Sequence, residues 1–314
     1  MSKVTVIGAG AVGSTIVNDL MVQGAASELI LIDINKKKAL GEAMDIYQGA
    51  PFCVPCVVRA GDYDDAEGSD VVIVTSGVPR KPGMSRLDLA QTNVDIIKDI
   101  APKIVKVAPN AIYIIVANPV DILTYAFIKY SGLPASHVIG SGTILDTSRL
   151  QAELARRFCI SPKNVHAHVY GEHGDTSFVP WSLAHIANNH VSVYRASSPD
   201  KARIVENCNY EEIEEYVRKS GASIIENKGL THYAVAMSVC HLCKCALNSA
   251  ATAMTVSVLF NGEYGIEDVC LSALCLVDKT GCHGIIKNEL TAEELEKLQR
   301  SANKLKEIIS QINF

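Results

Sequence analysis

Lys3-Val4-Thr5-Val6-Ile7-Gly8-Ala9-Gly10-Ala11-Val12-Gly13 decides the architecture: a β-branched run breaks into three glycines at GxGxxG spacing, and helix-compatible residues follow through Val22. A short apolar run bounded by turn residues reads as a buried strand. Gly8 permits the tight turn, Gly10 lets backbone approach a pyrophosphate with no Cβ in the way, and Gly13 allows the helix to pack closely on the strand. The helix N-terminus then offers free N–H groups and a partial positive charge to phosphate. Three glycines in six positions recur by chance. The order strand, glycines, helix, with Asp33 closing the next strand about 20 residues beyond Gly13, is far more specific. An aspartate there accepts hydrogen bonds from the adenosine ribose hydroxyls and repels a 2′-phosphate, which predicts NAD over NADP.

Working outward, β-rich runs at 3–8, 29–33, 57–60, 71–75 and 112–117 alternate with helix-compatible stretches at 11–22, 36–47 and 87–107. That alternation predicts an α/β fold, a Rossmann-type doubly wound parallel sheet with right-handed crossovers, over residues 1–144. Beyond it the pattern changes to helices at 146–158, 210–227 and 230–250 interrupted by short strands, a mixed α+β catalytic domain over 145–314. The last helix opens with Thr291-Ala292-Glu293-Glu294, a capping box with Thr291 at the N-cap.

Bulk properties narrow the function class. With 314 residues, 48% of them hydrophobic, the chain buries a large core without staples. Its 29 basic and 34 acidic residues are interspersed and sum to −5, which excludes the basic stripe that nucleic acid binding requires. The longest apolar runs, such as Val71 to Val74, fall far short of the ~18 residues that span a bilayer. With no apolar leader at Met1, the expected location is cytoplasmic. Ten cysteines in such a chain read as reduced thiols packed as small hydrophobes. Cys53 and Cys56 have CxxC spacing and Cys240, Cys243 and Cys245 surround His241, but no second CxxC lies at finger distance, so no metal is expected.

Asp146 and Arg149 stand three apart on an expected helix, hence on one face. His173 sits in the glycine-bracketed loop Gly171-Glu172-His173-Gly174-Asp175. Taken singly, His173 is one of nine histidines and reads as an ordinary loop residue. Beside an acid delivered from another element and a dinucleotide motif, it reads as an oriented general base.

At this point the chain resembles the L-lactate/malate dehydrogenase family over essentially its whole length. The resemblance is carried by Gly8 to Gly13, Pro79 to Arg86, Ala117-Asn118-Pro119, Leu145 to Arg149 and Gly171 to Asp175. It implies an NAD-dependent 2-hydroxy-acid dehydrogenase that forms a homo-oligomer, dimer or tetramer. His173 resembles the acceptor of the C2 hydroxyl proton, and Asp146 the partner that sets its tautomer. Arg149 resembles the fork that grips the substrate carboxylate through two parallel hydrogen bonds. Asn118 resembles the donor to the reacting oxygen, Thr231 a substrate contact, and Arg86 the polarising arginine of a mobile lid over 77–85. The cofactor contacts implied are Gly8, Gly10, Val12, Gly13, Asp33, Thr75, Gly77, Val116, Asn118 and Ser141.

The substrate turns on the lid. In the resembled family, the position of Arg80 is commonly glutamine in lactate enzymes, whereas malate enzymes use arginine against the distal carboxylate. Met84 also resembles the malate type. Against this, Gly140-Ser141-Gly142-Thr143, Gly171-Glu172-His173 and Thr231 resemble the lactate branch. An arginine enclosed against a methyl group would cost ~2–5 kcal/mol as an unpaired buried charge. The expectation is therefore malate and oxaloacetate, with L-lactate and pyruvate as the alternative; Arg80 turned to solvent would remove the basis for preferring malate. From a different class, a protein that senses NAD without turnover has no need of a proton acceptor such as His173.

Overall fold

Six parallel strands form the first half: β1 (Lys3–Ile7), β2 (Glu28–Ile32), β3 (Val57–Ala60), β4 (Val71–Val74), β5 (Ile112–Ile115) and β6 (Val138–Gly140). Their spatial order is β3-β2-β1-β4-β5-β6, the doubly wound arrangement expected from the alternating pattern. The computed structural model describes residues 2–79, 83–194 and 209–314. Between the strands run α1 (Ala11–Val22), α2 (Lys36–Gln48), α3 (Arg86–Val107) and α4 (Val120–Ser131). The order reverses between β1 and β4, so the carboxyl ends of these two strands, with Gly8 and Thr75, open the crevice where such sheets bind ligands.

The second half holds α5 (Ile144–Phe158), α6 (Tyr210–Lys228), α7 (Tyr233–Ala246) and α8 (Ala292–Ile309). Its strands include a small three-stranded sheet of β7 (Val165–His166), β8 (His185–Ile186) and β9 (Asn189–His190). The short strands expected there are only part of the pattern, because β10 (Thr252–Asn261) and β11 (Glu267–Asp278) form a long antiparallel hairpin extended by β12 (Gly281–Ile285). Through Ser257 opposite Gly140, β10 pairs with β6, so one nine-stranded sheet runs through both halves.

Apolar side chains cover both faces of that sheet. On one, Ile16, Val17 and Leu20 of α1 meet Ala236, Val239 and Cys240 of α7 over Val4, Val6 and Leu31. On the other, α3, α4 and α8 pack over Val72, Val74, Tyr113 and Ile115. The helix α4 escaped the sequence reading because Val120 to Phe127 are all buried. A helix wrapped on every side needs no polar face and so carries no amphipathic period. The capping box at α8 forms as expected: Glu294 N–H donates to Thr291 Oγ1, and Thr291 N–H to the Glu294 carboxylate. Among the described residues the cysteines are free thiols, and no group of three or more His, Cys, Asp or Glu is placed to hold a metal ion. No described helix is long and apolar enough to cross a membrane.

Candidate active site

The crevice is built by close contacts that only glycine permits. Gly8 lies at φ 112°, and a Cβ on Gly13 would stand 1.8 Å from the Gly8 carbonyl oxygen, so helix α1 docks on the strand end with no side chain between. A Cβ on Gly10 would meet nothing within 4 Å, so its backbone borders open space. Gly10 is also the N-cap of α1 and no side chain caps it, which leaves the first N–H groups to a ligand. Thr75 Oγ1 donates to the carbonyls of Ile7 and Gly8 at 3.1 Å and pins β4 to the turn. Asp33 accepts from Ala9 N–H at 2.7 Å and from Asn35 N–H at 2.8 Å, which holds its carboxylate at the mouth of the glycine turn. These residues fit a dinucleotide: an open glycine backbone and an uncapped helix end for the phosphates, and a fixed carboxylate for a ribose diol.

The remaining expected cofactor contacts cluster at adjacent strand ends. Val116 N–H bonds to the Val74 carbonyl, Ser141 N–H to the Ile115 carbonyl, and Gly77 lies where a Cβ would approach the Ala117 side chain to 3.2 Å. One side chain passed over in the sequence ties this region together. Asn93, fully buried on α3, accepts from Val78 N–H at 2.8 Å and donates to the Asn118 carbonyl at 2.7 Å. The chain at Val78 is thus fixed to the Asn118 turn. Its signal was weak: a lone asparagine inside an apolar helical face, legible only as a buried polar group needing partners.

Asp146, Arg149 and His173 come together. Asp146 sits in the first turn of α5, where a helix N-terminus favours an anion. Its carboxylate is 2.5 Å from His173 Nδ1 through one oxygen and accepts from Arg149 Nη1 at 2.9 Å through the other. An ionised carboxylate only accepts, so the proton lies on Nδ1 and Nε2 is the nitrogen free to exchange a proton with a ligand. The His173 side chain retains 26% exposure against 8% for Asp146. Asp146's negative charge pushes the imidazole up to about 9, against the opposing effect of burial. Burial pushes the Asp146 carboxyl up, but the charges and hydrogen bonds of His173 and Arg149 outweigh it and hold the group below its ordinary range.

Neighbouring elements brace the histidine loop. Gly171 N–H donates to the Ser272 carbonyl on β11 at 3.0 Å, and Glu172 N–H to Ser301 Oγ on α8 at 2.7 Å. Beside the Arg149 guanidinium lies Gly221 of α6, where a Cβ would come to 3.5 Å. That glycine carries no local motif, and its position beside Arg149 across two helices is invisible in sequence.

Arg86, Thr231 and Arg80 complete the expected substrate set. Arg86, the first residue of α3, pairs through Nη2 with Asp175 at 2.7 Å while both side chains are more than 60% exposed, so it engages the rim of the histidine loop. Thr231 is half-buried in the link between α6 and α7. Arg80 lies outside the described residues.

With this geometry in hand, similarity to known proteins is decisive. The family model for the lactate/malate dehydrogenase NAD binding domain matches residues 2–140, and that for the alpha/beta C-terminal domain matches 143–313. L-lactate dehydrogenase 1 of Clostridium acetobutylicum is 46% identical over 311 residues, covering 99% of this chain and 98% of that protein. The L-lactate dehydrogenase of Thermoanaerobacterium saccharolyticum is 42% identical and covers 100% of both. A solved structure of minor L-lactate dehydrogenase from Enterococcus mundtii superposes with a TM-score of 0.93 at 34% identity, covering 100% of this chain and 99% of that one. These relatives overturn the malate expectation. The error was one of weighting: the cost assigned to Arg80 applies only to a guanidinium enclosed with the substrate, whereas a hydrated one pays no desolvation. The motifs at 140–143, 171–173 and 231, spread through the scaffold, carried the better signal. An NAD-dependent 2-hydroxy-acid dehydrogenase, the chain belongs to the lactate/malate dehydrogenase family.

Proposed function

We propose that this chain interconverts L-lactate and pyruvate. The observation that carries the proposal is the part-buried His173–Asp146–Arg149 cluster in a chain aligned end to end with L-lactate dehydrogenases at 42–46% identity. NAD, held by the glycine turn and Asp33, would supply the hydride acceptor and donor for C2 of the substrate.

In this reading the chain's own groups do the following. Arg149 grips the C1 carboxylate, with the backbone of Gly221 beside its guanidinium. Nε2 of His173 takes the C2 hydroxyl proton during oxidation and returns it to the C2 oxygen during reduction. Asp146 keeps the other ring nitrogen protonated and stabilises the imidazolium that results. Asn118, anchored by Asn93, donates to the same oxygen. Arg86 exchanges its surface partner Asp175 for the substrate when the lid closes. Thr231 borders the substrate, and the glycine turn, Val12, Thr75, Gly77, Val116, Ser141 and Asp33 hold the dinucleotide. We place the division between the cofactor and catalytic domains at residues 144/145.

We also propose that a second copy of the chain covers part of its surface. The support is exposed apolar side chains on two helices, Leu40, Met44 and Tyr47 on α2 and Tyr233 and Met237 on α7. A cavity of about 330 Å³ lies between α5, α7 and β10 next to Met237.

Steady-state kinetics with NADH and a panel of pyruvate, oxaloacetate and branched 2-oxo acids test the substrate. A kcat/KM highest for pyruvate supports the proposal, and one highest for any other acid refutes it.

A further inference from the structure

A second buried carboxylate lies beside the site. Asp121, on the first turn of α4, is 3% exposed. Its Oδ2 accepts from the backbone N–H of His173 at 2.8 Å, and its Oδ1 from Ser257 Oγ on β10 at 2.6 Å. Ser257 is also the residue through which β10 joins β6, opposite Gly140. A single carboxylate thus links α4, the sheet junction and the main chain of the histidine.

We propose that Asp121 is a second positioning carboxylate for proton transfer: it fixes the His173 backbone from behind while its charge adds to that of Asp146 in favouring the imidazolium. This deepens the reading of His173 as proton acceptor and rests on it. Three observations carry it. A carboxylate is not needed merely to cap one N–H and one hydroxyl, since an amide or a water does so without a buried charge. The hydrogen bond is made to the histidine itself, so displacement of Asp121 moves the imidazole against Asp146. And the charge is close enough to act: Asp121 is among the groups that raise the His173 imidazole, while Arg149 opposes it.

The groups facing Asp121 are Ser257 on β10, His173 and Glu172 in the loop, and the Cys270 thiol on β11. Those facing His173 are Asp146 and Arg149 on α5 and Asp121 on α4. Burial pushes the Asp121 carboxyl up to about 6, with the Ser257 and His173 hydrogen bonds pulling the other way. It is therefore charged at neutral pH and above, the range in which the His173 imidazole titrates.

Asp121→Asn tests the proposal in the intact enzyme. The amide oxygen still accepts from His173 N–H and the amide nitrogen still donates to Ser257 Oγ, so geometry survives while the charge is lost. The readout is the pH profile of kcat/KM for 2-oxo-acid reduction, which needs the protonated imidazole and declines as pH rises through its pKa. The expected result is an alkaline limb moved to lower pH by about one unit, the shift typical of one nearby charge. A uniform loss of rate with the alkaline limb in place would make Asp121 a structural residue only and overturn the proposal. Should that variant not fold, Asp121→Ser keeps a small polar group near His173 N–H without the charge, and the same fall of the alkaline limb is expected; an unmoved limb overturns the proposal equally. His173→Asn with near-normal turnover would defeat the proton-acceptor reading itself, which is a different outcome from a histidine-dependent profile that ignores position 121.

Discussion

Replacing Asp146 by Asn is the substitution whose effect the structure specifies most fully. The carboxylate contacts His173 Nδ1 at 2.5 Å and is the largest cause of the imidazole's rise from 6.5 to about 9. Of the other influences, Asp121 raises the imidazole while burial and Arg149 lower it. Without the charge at 146 the imidazole therefore returns to its ordinary value or below. A change of about 2.5 units corresponds to a differential interaction on the order of 3 kcal/mol between the two protonation states. At pH 8 the wild-type ring is mostly protonated; at a pKa near 6.5 only roughly 3% is, so protonation alone costs about 30-fold in kcat/KM for pyruvate reduction. An asparagine can also present its NH₂ to Nδ1 and stabilise the wrong tautomer, which adds to the loss. Initial rates of NADH oxidation between pH 5.5 and 10 measure this directly, with the alkaline limb expected to fall from near 9 to below 7. Folding stability carries the same sign. A raised histidine stabilises the fold fully below its unfolded pKa of about 6.5 and loses that contribution as pH rises through about 9. Thermal midpoints of wild type and variant should therefore converge as the pH climbs through that window. An alkaline limb that stays near 9 in Asp146→Asn would refute the electrostatic coupling.

Other substitutions probe the remaining parts. Gly13→Ala puts a Cβ 1.8 Å from the Gly8 carbonyl oxygen, so the helix must shift from the strand end. NAD affinity by calorimetry is expected to fall at least about tenfold and stability by about 1–3 kcal/mol; unaltered binding would argue against the cradle. Arg149→Lys replaces a planar fork with a point charge and is expected to raise KM for pyruvate about 10- to 100-fold, with kcat less affected; an unchanged KM would remove Arg149 from the substrate. Asn93→Ala leaves Val78 N–H without its side-chain acceptor and the Asn118 carbonyl without its donor. It is expected to cost about 1–3 kcal/mol in denaturant unfolding together with a loss of kcat, and a loss of stability alone would make Asn93 purely architectural.

What could be read from the chain was whatever is written in neighbouring residues. The glycine turn, the strand runs and the capping box at Thr291 are local, and each appears within a residue or two of its expected place. Asp146 and Arg149 were legible as a pair because helical spacing puts them on one face, and their meeting with His173 was inferred from two separate motifs. Features that depend on distant packing were not legible. Helix α4 is buried on every side over its first two turns, Asp121 and Thr124 included, so burial there follows no helical period. The link of β10 to β6 is one bridge at Ser257, and the brace from Ser301 to the histidine loop spans 129 residues. Neither leaves a trace in local pattern. The substrate was misread for a related reason: one lid arginine was given an energetic weight that depends on its surroundings, whereas the weaker lactate-type signals were distributed through the framework.

The account depends above all on His173 handling the substrate's proton, and a His173→Asn enzyme assayed for NADH oxidation by pyruvate at neutral pH examines that step alone. NAD binding should persist, because the glycine turn and Asp33 are untouched, while turnover falls by about 10²- to 10⁴-fold, the span attributed to a positioned acid–base group. A variant that binds NAD and turns over pyruvate at near the wild-type rate would contradict the account at its centre.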